Sequence, residues 1–156
     1  MKTTTEYIKK LEALKAYLVK EENFTEEETA EATYNECCDS FECGGWEYKV
    51  LTDEEADEAT REEILGNLWA FNADFILRHT KFFETSTDRE DQEFILALQA
   101  LQSRICESAN PIVEALIEDK ESFVEDAIDA DGRGHFLSFY DGEEIEMGEF
   151  YAYRIN

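Results

Sequence analysis

Basic residues are scarce in this chain. Fourteen lysines and arginines face 39 aspartates and glutamates, a formal net charge of −25 over 156 residues. A compact body with that charge repels nucleic acid and anionic membranes, so neither is expected as a direct partner. Proline is nearly absent, with Pro111 alone, and glycine is limited to seven residues, which leaves room for long helices. No apolar run approaches the roughly 20 residues of a spanning helix. No apolar segment follows Met1-Lys2, so no export signal is expected. The four cysteines, at 37, 38, 43 and 106, are then expected as reduced thiols of a cytoplasm.

Motifs for common chemistries are missing too. The chain has no G-x-x-x-x-G-K-[ST] phosphate loop, no G-x-G-x-x-G and no G-x-S-x-G serine elbow. Cys38 and Cys43 have a spacing that zinc permits, but a fourth ligand would have to be Cys106, His79 or His135, all distant in sequence, so no zinc site is expected. The stretch Asp129–Tyr140 places Asp129, Asp131 and Gly134 at positions 1, 3 and 6 of an EF-hand loop. It then places Arg133 at position 5 and Tyr140 at position 12, where a cation needs oxygen ligands. No cofactor or metal is expected, and no enzymatic centre.

Hydrophobic residues are plentiful. They make up 43% of the chain and include 11 Phe, 7 Tyr and 2 Trp, too many aromatics for an acidic disordered chain. Residues 5–20 carry Tyr7, Ile8, Leu11, Leu14 and Leu18 at helical spacing. Lysines 2, 9, 10, 15 and 20 make this end locally basic. Thr25 and Glu28 form a T-x-x-E capping box opening a short helix over 26–36, and Thr52 and Glu55 form another opening a long helix over about 53–78. Between them, 37–45 reads as a break and 46–51 as a strand by its alternation of Trp46, Tyr48 and Val50 with Glu47 and Lys49. A helix over 88–107 follows, and Asn110-Pro111 restarts helical pattern through Ile128, broken near Glu118–Glu121. Gly132 is placed to end that helix. Residues 135–140 and 149–155 read as strands joined through the Asp141-Gly142 turn. The expected fold is α+β, a helix-dominated single domain over 1–156 with a small antiparallel sheet of 46–51, 135–140 and 149–155.

The acids are clustered. Glu21–Glu63 holds 17 acids and two bases, and Glu114–Glu149 holds 13 acids and two bases. Carboxylates one helical turn apart stand about 5–6 Å from each other, close to phosphate spacing along a strand. Glu54, Asp57 with Glu58, and Glu62 fall on such a row. The candidate partner-binding residues are therefore Glu54, Glu55, Asp57, Glu58, Glu62 and Glu63, with Glu26, Glu27, Glu28 and Glu31 as a second patch. The complement of such a surface is a basic protein groove that normally holds nucleic acid. The competing explanation is a face that only solubilises. Two further readings stand beside it: an adaptor or self-associating protein with an aromatic interface (Trp46, Tyr48, Phe139, Tyr151, Tyr153), and a small-ligand or metal site at Arg133 and His135.

The segments "EYKVLTDEEADEA" (Glu47–Ala59) and "DGRGHFLSFYDGEE" (Asp131–Glu144) resemble short proteins encoded by bacteriophages and prophages of gut bacteria. The resemblance assigns no residue a role. It implies a protein acting in an infected bacterial cytoplasm. Joined with the charge pattern, it gives the expectation of an acidic inhibitor of a host defence system, of anti-restriction or anti-CRISPR type, directed at a nuclease or an RNA-guided effector.

Overall fold

The computed structural model describes residues 4–156. Helices dominate, and a five-stranded antiparallel sheet completes an α+β fold. By their contacts the described residues form two compact units: those up to Thr60 together with Asp131–Asn156, and Arg61–Ala130.

The first unit is built on the sheet. Its strands are β1 (Thr33–Asn35), β2 (Ser40–Cys43), β3 (Trp46–Thr52), β4 (Ile145–Met147) and β5 (Phe150–Arg154), in the order β1-β2-β3-β5-β4. The register pairs Phe41 with Tyr48, Val50 with Ala152 and Thr52 with Phe150, so these side chains share one face. Helix α1 (Thr4–Glu21) lays Leu14 and Leu18 on that face, against Phe41, Cys43, Tyr48, Val50, Phe150 and Ala152. The opposite face carries Leu51 and Tyr153, which pack with Ala56 at the start of helix α3 (Asp53–Gly66) and Leu137 at the end of helix α7 (Lys120–Leu137). Cover on both faces explains why Val50 and Leu51, adjacent in β3, are both buried.

The second unit is helical: the rest of α3, α4 (Ala73–Arg78), α5 (Asp88–Ile105), α6 (Asn110–Leu116) and the start of α7. Ile64, Leu68, Ile76, Leu77, Val113 and Phe123 are among its buried residues. Phe71, Phe75 and Phe123 form a ring cluster that also takes in His79, 4.9 Å from Phe123 between ring centres.

Several expectations are met. Helix α1, the capping boxes at Thr25 and Thr52, strand β3, helix α5 and the restart at Asn110-Pro111 lie where the pattern puts them. The break between α6 and α7 falls at residues 117–119, at the edge of the expected gap.

Others are corrected. The expected helix over 26–36 ends at Ala30, as helix α2 (Glu26–Ala30), and the chain turns into β1. There Tyr34 sets its ring against Tyr7 and Phe41 at 5.0 and 5.4 Å, a packing a continued helix would forfeit. The supposed break at 37–45 contains β2, in which buried Phe41 and Cys43 flank exposed Glu42.

The long helix over 53–78 is interrupted after Gly66. Side chains from elsewhere in the second unit take over its backbone bonds. Asn110 donates to Leu65 O and accepts from Trp69 N, and Gln102 Nε2 donates to the carbonyls of Trp69 and Phe71, each at 2.8 Å.

The strand expected at 135–140 does not exist. Gly132 adopts φ 76, ψ 158, a conformation only glycine takes readily. It ends one helix, as expected, and a short second helix follows at once through Leu137, so the span named α7 is two helices meeting at Gly132. Besides β3, the strand partner of β5 is Ile145–Met147, which sequence pattern assigned to the connecting turn. Ile145 and Met147 sit opposite Ala152 and Phe150 there.

Candidate acidic binding surface

Helix α3 sorts the predicted acids by face. Ala56, Thr60 and Ile64 are buried at i, i+4 spacing. Glu54, Glu58 and Glu62, at the same spacing and displaced by about half a turn, are exposed. The structure therefore keeps part of the expected acidic row free.

It removes other members. Glu55 accepts the backbone N–H of Thr52 and pairs with the ammonium of Lys10, which is 2% exposed. Glu6 lies 3.6 Å from the same ammonium. Glu63 accepts from the side-chain amide of Asn67 at 2.8 Å. Asp57 belongs to the cluster around Arg133. In α2, Glu28 completes the capping box: its carboxylate accepts from Thr25 N–H at 2.8 Å, and these Thr25 bonds hold its pKa below the usual range. Glu26, Glu27 and Glu31 are exposed. Among the predicted acids, Glu54, Glu58 and Glu62 on α3 and Glu26, Glu27 and Glu31 on and just after α2 are exposed and make none of these bonds, whereas Glu28 and Asp57 are exposed but paired.

Arg133 is an ion-pair hub. Its Nη1 donates to Asp53 Oδ1 and Asp57 Oδ1, each at 2.8 Å. Its Nε and Nη2 grip Glu144 at 2.8 and 3.1 Å. The guanidinium also lies 4.6 Å from the centre of the Tyr151 ring. Burial opposes its charge, but the bonds to Glu144, Asp53 and Asp57 outweigh that and raise its pKa above the usual value. An arginine held this way is committed to the fold, so the reading of Arg133 with His135 as a ligand site loses its cation. His135 is exposed, its ring edge-on to Phe136 at 5.0 Å.

The aromatic interface is corrected as well. Tyr48 and Tyr153 are core residues, at 1% and 0% exposure. Burial pushes the Tyr153 phenol well above its ordinary pKa, and its hydrogen bond to Glu144 adds to this. Trp46 is covered by the Arg154 guanidinium at 3.9 Å, and the same group lies over Tyr140 at 3.7 Å. Of the five residues expected to form that surface, Phe139 is strongly exposed.

Cysteines 37 and 38 are exposed while Cys43, the last residue of β2, is buried. Among the described residues no group of three or more His, Cys, Asp or Glu side chains is arranged to hold a metal ion. Asp129 and Asp131 are exposed at the end of the helix before Gly132, and the chain is helical again up to Leu137, so the stretch does not wrap the twelve-residue loop an EF-hand needs. Among the described residues no helix is long and apolar enough to cross a membrane.

Sequence reasoning missed Lys10 and the pairing partners Asp53 and Glu144. Lys10 had a signal: it stands at i−4 from Leu14 and i−8 from Leu18, on the buried row of α1.

No protein-family model, curated protein or solved structure matches this chain.

Proposed function

We propose that this protein is a non-enzymatic, stoichiometric inhibitor whose acidic helices α2 and α3 occupy a basic protein surface that otherwise holds nucleic acid. The observation that carries this reading is the division of labour among its acids. Arg133 and Lys10 satisfy Asp53, Asp57, Glu144 and Glu55 inside the first unit. Glu54, Glu58, Glu26, Glu27 and Glu31 are left facing water. A fold that needed acids only for internal pairing has no use for this surplus, and its electrostatic cost is self-repulsion.

The energetics follow from ions. A basic groove facing this surface releases the anions condensed on it, and the protein releases its own cations. The same counterion term that drives DNA binding then favours the protein, and it weakens steeply with salt. The resemblance to phage proteins supplies the setting: the cytoplasm of an infected bacterium, with a defence nuclease or RNA-guided effector as the target.

The test is charge reversal restricted to the free acids. A variant with Glu26, Glu27, Glu54 and Glu58 changed to Lys spares the capping residue Glu28 and the paired residues Glu55 and Asp57. It is expected to keep the wild-type circular dichroism spectrum and to lose inhibition of the target. Retained inhibition by a folded variant would refute the reading.

A further inference from the structure

Strand β4 ends the sheet, and the order β1-β2-β3-β5-β4 leaves its outer side without a strand neighbour among the described residues. Its pairing with β5 places Met147 opposite Phe150 across the loop Gly148-Glu149, and Glu146 opposite Tyr151. In a hairpin with a two-residue loop the closing pair exchanges backbone hydrogen bonds and the next pair does not. The N–H and C=O of Glu146 therefore point away from β5, toward the open edge.

Beside that edge runs a groove of about 490 Å³, lined by Ala13, Ala16, Tyr17, Lys20 and the terminal Glu21 of α1 and by Glu146 and Met147 of β4. The α1 positions follow i, i+3, i+4, i+7, i+8 spacing, so one helix face with two small side chains forms a wall. An open edge strand next to a shallow, partly apolar channel is the arrangement by which domains accept an extended peptide as an added strand.

Charge selects the occupant. Glu143, Glu146 and Glu149 are exposed along this edge. The one cation lining the groove, Lys20, is offset by Glu21 at 2.7 Å. A second copy of the chain would bring the same acids against these, and like charges across paired strands are destabilising. A strand bearing lysine or arginine meets the opposite situation.

We infer that the β4 edge and the adjoining α1 groove bind an extended, lysine- or arginine-bearing peptide segment of a partner protein as a sixth strand. The backbone of Glu146 anchors the segment, and Ala13, Ala16 and Met147 take its small apolar side chains. This site uses strand backbone, whereas the helical surface proposed above uses side-chain charge, so the two stand or fall separately.

The experiment is fluorescence anisotropy on the full chain with a labelled short peptide alternating lysine and valine. Three controls accompany it: the same peptide N-methylated on the bonding edge, an acidic twin alternating glutamate and valine, and sedimentation of the protein alone. The lysine peptide is expected to bind, the acidic twin not to bind, and N-methylation to weaken binding about tenfold or more. Glu146→Pro, which removes the outward N–H, and Ala16→Trp, which fills the groove at an exposed helix position, should each produce a loss of the same order. Both are checked for folding by circular dichroism. The variant reversed at Glu26, Glu27, Glu54 and Glu58 should still bind the peptide in a manner sensitive to N-methylation. Four results would overturn the inference: no binding by the lysine peptide, equal binding by the N-methylated peptide, binding unchanged by both Glu146→Pro and Ala16→Trp, or a dimer of the protein alone that Glu146→Pro dissolves.

Discussion

Arg133 holds Glu144 through two nitrogens, Nε at 2.8 Å and Nη2 at 3.1 Å, and so ties the end of helix α7 to the segment leading into strand β4. The same guanidinium reaches Asp53 and Asp57 in the first turns of α3. One cation thus joins three pieces of the first unit that are distant in sequence.

Arg133→Ala is expected to destabilise the protein by about 2 kcal/mol. That is the scale of a few charge-assisted bonds, discounted because Asp53 and Asp57 are open to water. Arg133→Lys should recover only part of this, since an ammonium cannot make the two-pronged bond to Glu144. Urea unfolding of the three proteins measures both effects. Equal stability of the lysine variant and wild type would show that the geometry of the fork does not matter.

Lys10 and Glu55 form an asymmetric pair, because Lys10 is 2% exposed and Glu55 28%. Glu55→Ala leaves a buried ammonium with Glu6 at 3.6 Å as its remaining carboxylate and also removes the Thr52 cap. We expect a loss of about 3 kcal/mol. Lys10→Met replaces the buried charge by an apolar side chain of similar length and leaves Glu55 able to hydrate. Its cost should be under about half of that. Thermal melts of both variants check the order, and a larger loss for Lys10→Met would reverse it.

Tyr48 and Tyr153 have pKa values raised above the ordinary phenol value, chiefly by burial. For a group raised in the folded state, the stabilising contribution is complete below the unfolded pKa, near 10 for tyrosine. It is lost as pH rises from there toward the folded value. Stability should therefore fall above about pH 10. Tyr153→Phe should cost about 1 kcal/mol at neutral pH through its lost bond to Glu144, while flattening the alkaline fall. Denaturant titrations at neutral and alkaline pH measure the slope, and an alkaline fall no smaller in Tyr153→Phe would count against this origin.

The elements read correctly from sequence are those whose signal is local. The capping boxes at Thr25 and Thr52 and the stripes of α1 and α5 need only neighbouring residues to be recognised. The failures share a different cause. The break after Gly66 is held by Asn110 and Gln102, which are about forty and thirty residues away from the backbone groups they bond. Residues 135–140 looked like a strand by their aromatic pattern, yet after the helix stop at Gly132 the chain turns straight into a second short helix. That helix allows Gly134 to approach Gly142, where an added Cβ would come within 2.4 Å of the carbonyl oxygen. For the site, composition identified acidic helices but not which acids were already spoken for. Asp57 looks the same in sequence as Glu54 and Glu58, and Arg133 separates it from them, while the capping box marked Glu55 without revealing its pairing with buried Lys10.

The most direct test of the acidic-surface account is capture from bacterial lysate on immobilised wild-type protein and on the variant reversed at Glu26, Glu27, Glu54 and Glu58, followed by elution with duplex DNA and, separately, with salt. The account predicts a nucleic-acid-binding protein retained by the wild type, released by either eluent and not retained by the variant. Retention that survives both eluents, or that is unchanged by the charge reversal, would contradict it.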